Sequence, residues 1–167
     1  MDRLCLYAKN IMKKINQKYF KKVLGKFATG VTVISINNKE KFIGKTVNSF
    51  SALSLSPPLV LFSLDRKASA IIKFKNCEYL SINILNKKQI NISKNFAEKK
   101  APWNKKDVSY YFSKYKTPII KNCLANLECK KIKFLTEGDH IIFICKVINF
   151  TYNDNLKPLL YFNSKYI

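Results

Sequence analysis

Short runs of β-branched and aromatic residues recur along this chain without any regular alternation of strand and helix. No other feature limits the fold as much. "GVTVISI" (30–36), "LVLFSL" (59–64), "EYLSINIL" (78–85), "LANLECKKIKFL" (124–135) and "DHIIFICKVINFTY" (139–152) each read as strands. Three stretches carry helical spacing instead. In "IMKKINQKYFKKVLGK" (11–26), Ile11, Ile15, Tyr19 and Val23, with Phe20 and Leu24, share one face, and the helix ends near Gly25. "SAIIKF" (69–74) and "KKQINISKNFAE" (87–98) are the other two. Many strands, few helices and no βα repetition predict a mainly β fold, a β-barrel with a few helices. A chain of 167 residues suits one such domain and can bury a real core. Residues 99–117, with Trp103 and three tyrosines, read as a long loop or lid.

Several function classes drop out on composition and spacing. The net charge of +21 invites nucleic acid, but only Arg3 and Arg66 are arginines and no recognition motif accompanies the lysines. The lysines read as a solvated coat, with no specific nucleic acid as partner. Glycines at 25, 30, 44 and 138 supply neither GxGxxG nor a P-loop, which excludes a Rossmann site and a Walker NTPase. His140 is the single histidine, so a serine triad would have to use it. Asp139 cannot orient it if both lie on one strand, because successive side chains point to opposite faces. The acids are scattered and suggest no metal or glycosidase pair. Cysteines at 5, 77, 123, 129 and 145 form no CxxC and read as reduced thiols in a cytoplasm, with no metal site expected. No apolar run approaches the ~20 residues of a membrane span, and the N-terminus lacks the pattern of a secretory signal.

One stretch sets polar side chains beside a buried strand. In "GKTVNSFSALSLSPPLVLFSLD" (44–65), Thr46, Asn48, Ser49, Ser51, Ser54 and Ser56 run into Pro57-Pro58 and the apolar run that follows. Taken alone, the row reads either as turn residues capping a strand or as ligand contacts. With "FATGVTVIS" (27–35), "GKTVNSFSALSLSPPLVLFSLDRKAS" (44–69), "YLSINILNKKQINISKNFA" (79–97), "GDHIIFICKVI" (138–148) and "KPLLYFNSKY" (157–166) in order and at suitable spacing, the chain resembles the flavin reductase-like family. Those proteins are small NAD(P)H-dependent FMN reductases that often serve two-component monooxygenases. The likeness covers residues 18–166, and residues 1–17 fall outside it as an extension or the start of the first helix.

The resemblance implies a split β-barrel of FMN-binding type over 18–167, a homodimer, FMN (FAD being possible) and NADH or NADPH as co-substrate. It gives the polar row a purpose, since an isoalloxazine ring needs a few convergent hydrogen bonds beside an apolar wall. Thr46, Val47, Asn48, Ser49 and Ser54 are then flavin contacts, although Val47 stands where a smaller alanine is usual. Arg66, Lys67 and Ser69 suit the ribityl phosphate, with Ser69 near a helix start. Phe96 and Ala97 match the segment lying along the flavin. His140 matches the position beside which nicotinamide docks, a positioning role rather than acid–base work. Excess apolar side chains on 59–64 and 141–148 agree with a dimer. The implied activity is hydride transfer from nicotinamide to FMN, with reduced flavin passed to a partner monooxygenase or other acceptor. An FMN-binding electron carrier without free-flavin reductase activity is the alternative, and a basic RNA-binding barrel a more distant one.

Overall fold

The computed structural model describes residues 15–39, 41–98 and 108–167. Its elements run α1 (Gln17–Leu24), β1 (Thr29–Gly30), β2 (Thr32–Asn38), β3 (Lys41–Val47), β4 (Ser51–Ser54), β5 (Leu59–Asp65), α2 (Ile71–Asn76) and β6 (Tyr79–Ile84). A 3-10 turn (Lys87–Gln89) then leads into α3 (Ile90–Ala97), β7 (Tyr110–Phe112), β8 (Pro118–Ile120), β9 (Ala125–Glu137), β10 (His140–Tyr152), β11 (Leu160–Phe162) and β12 (Lys165–Tyr166). Seven strands form one antiparallel sheet in the order β3-β2-β6-β9-β10-β5-β4, beside small sheets β1-β11-β12 and β7-β8.

The two outer strands of the large sheet, β3 and β4, are consecutive in the chain and joined by residues 48–50 alone. Such a link spans at most about 14 Å. Laid flat, a sheet of this width would hold its outer strands about 29 Å apart, at about 4.8 Å per spacing. The sheet therefore curls until its edges approach each other, giving the split barrel that the sequence led us to expect. Ser49 bridges the split. Extending the Ser51↔Leu61 register by two positions brings Ser49 opposite Ser63, and its hydroxyl supplies both halves of the missing ladder. It donates to the Ser63 carbonyl and accepts from the Ser63 amide, each at 2.9 Å.

Curling gives the sheet an inside and an outside, and both are apolar over β2. Ile34 and Ile36 point inward to Phe62, Leu64, Phe74, Leu80, Ile82, Ile141 and Phe143. Val31 and Val33 point outward to Phe42, Leu85, Phe96, Ile120 and Leu159, under α3 and the β7-β8 hairpin. Burial on both faces explains why "GVTVISI" is a continuous apolar run rather than an alternating one. Gly44 is required on the outer side, because a Cβ there would stand 2.9 Å from the Phe96 ring.

A buried polar network docks β8 onto the outer face. Register puts Ser35 opposite Ser81, and Asn83 opposite both Val33 and Asn126. Asn83 donates to the Val33 carbonyl at 2.9 Å and to Ser35 Oγ at 2.8 Å. Its Oδ1 accepts from the Ile120 amide at 2.9 Å and from Asn126 Nδ2 at 2.8 Å. Ser35 Oγ donates to the Pro118 carbonyl at 2.8 Å, and Ser81 Oγ lies against the same carbonyl. Both donors and both acceptor sites of the Asn83 amide are used, which makes this buried residue an asset instead of a penalty.

The structure also departs from the sequence reading. "KFIGKTV" and "SALS" form strands β3 and β4, where edge positions tolerate the polar residues that hid them. The other strands not foreseen, β1, β7, β8, β11 and β12, have two or three residues each, too few to show a period. Residues 110–112 pair with 118–120, so the second half of the supposed lid is a hairpin. Helix α1 begins at Gln17 because Asn16 caps it, its Oδ1 accepting from the Lys18 and Tyr19 amides at 3.0 and 3.3 Å. Helix α2 begins two residues after Ser69 and is capped by no side chain. Residues 11–14, Cys5 and 99–107 with Trp103 lie outside the described residues.

Cys77, Cys123, Cys129 and Cys145 are free thiols. Burial pushes the pKa of Cys77 up to about 11 and those of Cys123 and Cys145 up to about 12, so they stay neutral core atoms.

Replacing Asn83 by Leu should strand the Ile120 amide and take one partner each from the Val33 carbonyl, Ser35 Oγ and Asn126 Nδ2. At about 1–3 kcal/mol per unsatisfied group, partly relieved by relaxation, a loss of about 2–4 kcal/mol is expected. Urea denaturation checks it: the midpoint should fall with the slope unchanged.

Candidate functional site

The split leaves a cleft of about 270 Å³ where the end of β3 faces the end of β5. Its lining is Lys45 to Ser49 on one side, Ser63 to Asp65 and Ala68 on the other, with Ala97 and His140 closing the ends. A second hollow of about 170 Å³ shares Thr46, Val47, Asn48 and Ala97 and adds Val31, Tyr161 and Tyr166. Together they reach the size range of small-ligand sites, about 300–1,000 Å³. Val47, Leu64, Ala68 and Ala97 offer apolar wall, while Asn48, Asp65 and His140 offer polar groups at its margins. This combination suits a flat ring with a polar edge.

The polar row proves to have mixed duties. Thr46 Oγ1 donates to the Ser93 carbonyl at 2.7 Å and so fixes α3 to β3. Ser49 closes the barrel seam, and Ser51 Oγ donates to the Ala52 carbonyl at 3.1 Å. The hydroxyls thus build the wall, and Asn48 is the exposed side chain of the row that lines it. Of the residues singled out from the sequence, Thr46, Val47, Asn48, Ser49, Ala97 and His140 meet in this cleft. Ser54 sits away from it on β4, opposite Leu59. The Phe96 side chain is buried against Phe42 and Gly44, a wall support behind the exposed Ala97.

Arg66, Lys67 and Ser69 are exposed just beyond the Asp65–Ala68 end of the cleft. The register His140↔Asp65 brings this segment against the β9–β10 turn, where Gly138 takes a φ of +59°. The Arg66 amide donates to the Asp139 carbonyl at 3.0 Å, and its Nη1 donates to the Gly138 carbonyl at 3.1 Å. Lys67 N donates to Asp65 Oδ1 at 2.7 Å. The arginine therefore serves first to pin the turn that carries His140.

His140 corrects one expectation. Strand β10 starts at His140, and Asp139 belongs to the turn, so the opposite-faces argument does not apply. The ring Nδ1 lies 2.7 Å from Asp139 Oδ1. An ionised carboxylate only accepts, so Nδ1 carries the proton of this contact, which leaves Nε2 for another partner. The hydrogen bond from His140, then its charge, hold the Asp139 carboxyl below the usual range, with Lys67 adding to the effect.

Sequence reasoning missed Lys45, Ser63, Leu64, Asp65 and Ala68, and Val31, Tyr161 and Tyr166 of the second hollow. Strand alternation in "LVLFSLD" could have pointed to Ser63 and Asp65. The tyrosines lie inside the quoted "KPLLYFNSKY" segment but were given no role there, because they reach the site only through the β1-β11-β12 sheet.

The Asp139–His140 contact has a titration signature. By carboxyl NMR, Asp139 should titrate below the ordinary value of about 3.9, and His140→Ala should move it back up. The contact favours the folded state above the unfolded carboxyl pKa, and its contribution disappears as pH falls through the lower, folded pKa.

Comparison with known proteins adds the lineage. Residues 24–167 match the family described as "Flavin reductase like domain". The chain is 33% identical over 139 residues to the FMN reductase (NADH) SmoA of Agrobacterium fabrum, covering 83% of this chain and 79% of that one. It is 31% identical over 155 residues to HsaB of Mycobacterium tuberculosis, the reductase subunit of a flavin-dependent monooxygenase, covering 92% and 82%. Among solved structures, the NADH:FAD oxidoreductase SgcE6 of Streptomyces globisporus, in complex with NAD and FAD fragments, superposes with a TM-score of 0.85 at 27% identity, covering 93% and 95%.

Proposed function

The chain belongs to the flavin reductase-like family, and from that premise we propose that it is an NAD(P)H:flavin oxidoreductase. In this reading it moves a hydride from a reduced nicotinamide to FMN, with FAD as the other candidate, and supplies reduced flavin to a partner monooxygenase or another acceptor in the cytoplasm. The domain spans residues 18–167, with 1–17 as an extension or the start of the first helix. The observation that carries the reading is the cleft itself, where an apolar wall meets Asn48 on one side and the oriented His140 on the other.

The flavin supplies the redox chemistry when bound, accepting two electrons with a hydride. The chain supplies position. Val47 and Ala97 form a face for the ring, and the main chain of 46–49, locked by Thr46 and Ser49, offers fixed hydrogen-bonding groups to its edge. His140, held by Asp139, presents Nε2 to a nicotinamide carboxamide and sets the height of that ring. Stacking must bring donor carbon and acceptor nitrogen to about 3–3.5 Å. Exposed Arg66, Lys67 and Ser69 lie where a ribityl phosphate would leave the Asp65–Ala68 end, with Arg66 dividing its donors between that anion and Gly138.

One set of titrations tests this. The pure protein should bind FMN and bleach it when NADH or NADPH is added. Lys67→Ala should weaken FMN about tenfold, the low end of a charge-assisted bond (about 1.5–3 kcal/mol) because the lysine is exposed. Riboflavin binding should hardly change, nor should FMN binding in the control Lys116→Ala. Failure to bind FMN sinks the reading, and FMN that binds but stays oxidised under both nucleotides makes the protein an electron carrier.

Assembly follows from the uncovered face of the barrel. On the side of β5 and β10 away from the core, Leu59, Leu61, Ile142 and Ile144 are half-buried, and on the neighbouring strands and their connection Leu53, Leu55 and Ile132 are exposed. We propose that two copies cover this face in a two-fold homodimer. Light scattering at micromolar concentration should give twice the chain mass; a monomer there rejects the proposal.

A further inference from the structure

Lys45 stands on the wall of the main cleft and is, among its described lining residues, the one lysine or arginine. Strand alternation sets it on the side of Ile43 and Val47, which pack on the barrel core, whereas Gly44 and Thr46 face α3. Its side chain bends round the open edge of β3, and Nζ donates to the Glu98 carbonyl at 3.1 Å. Glu98 closes the C-terminus of α3, the end of a helix that favours a cation. The ammonium is thereby held next to Ala97, another lining residue, rather than being free to trail into solvent.

A fixed charge in such a cleft has a calculable use. In the hydride step a C–H bond of the dihydronicotinamide breaks and an N–H bond forms on the flavin. The electron pair travels with the hydride, the nicotinamide becomes cationic, and the flavin gains one net negative charge. Resting on the reading of the cleft as a flavin site, we propose that Lys45 sets its preference for the reduced, anionic ring over the oxidised, neutral one. The flavin is then easier to reduce in the cleft with Lys45 present than without it. Only a group that interacts differently with the two states can shift their balance. A unit charge about 12 Å away, at the effective dielectric of about 20 near a protein surface, is worth a factor of about ten. Asp65, the carboxylate on the same lining, works against it, with one oxygen engaged by the Lys67 amide. Arg66 and Lys67 lie beyond the lining and are exposed, so solvent screens them more.

Anaerobic titration with oxidised and with chemically reduced FMN gives the ratio of the two affinities, and the midpoint potential of bound FMN reads the same quantity. In Lys45→Met, which keeps the stem and loses the charge, the ratio of reduced to oxidised affinity should fall about tenfold. For a two-electron couple that is a drop of about 30 mV. Lys45→Arg should restore it, and Lys121→Met, which removes one exposed charge outside the cleft, should leave it nearly unchanged. An unchanged ratio in Lys45→Met with FMN still bound overturns the inference and leaves the reductase reading standing. An equal drop in the Lys121 control also overturns it, assigning the effect to net charge. A wild type that binds no FMN overturns both.

Discussion

The short link between β3 and β4 governs this molecule. Because residues 48–50 join the two outermost strands of a seven-stranded sheet, the sheet cannot lie flat. Its closure is incomplete, and the gap is where a ligand can enter. Both faces of the curled sheet then need covering, which calls for two apolar cores and explains why β2 is buried on each side. The cleft is a consequence of the closure, because its lining comes from the last residues of β3, the link and the far end of β5. A single geometric demand thus sets the curvature, the two cores and the position of the site.

The polar residues around the seam divide into those that build and those that can act. Ser49 and Thr46 spend their hydroxyls on backbone groups of Ser63 and Ser93. The Arg66 guanidinium holds the turn behind His140. What faces a ligand is main chain made rigid by those bonds, together with Asn48, Lys45 anchored on the Glu98 carbonyl, His140 held by Asp139 and a smooth apolar wall. Hydride transfer needs little more than that, since it requires stacked rings and a suitable field rather than a nucleophile. The scarcity of catalytic motifs in the sequence is what such chemistry would leave behind.

How much of this was legible beforehand varies by residue. The long strands β5, β6, β9 and β10 could be read from their β-branched runs, and the family likeness supplied the barrel. Strands β3 and β4 could not, because edge position frees them from the apolar pattern that marks a strand. Asn48, Val47, Ala97 and His140 were found because they sit inside quoted motifs. Lys45 was passed over as one more lysine in a chain with a net charge of +21; only its place on the wall distinguishes it. Asp139 was dismissed by an argument about strand faces that holds one residue later. Phe96 matched a motif about the ligand yet packs behind the wall, since a sequence match gives the segment and not the direction of the side chain.

The pairing of His140 with Asp65 has a kinetic meaning. These residues lie far apart in the chain, and β2 must likewise wait for β6, and β6 for β9. Closing such long loops is slow, and domains dominated by distant pairings fold on the millisecond-to-second scale. Local hairpins such as β9–β10 can form early without creating any part of the cleft's opposite wall. The cleft is assembled only when the most distant strands have met, so a nascent or truncated chain holds no half-built version of it.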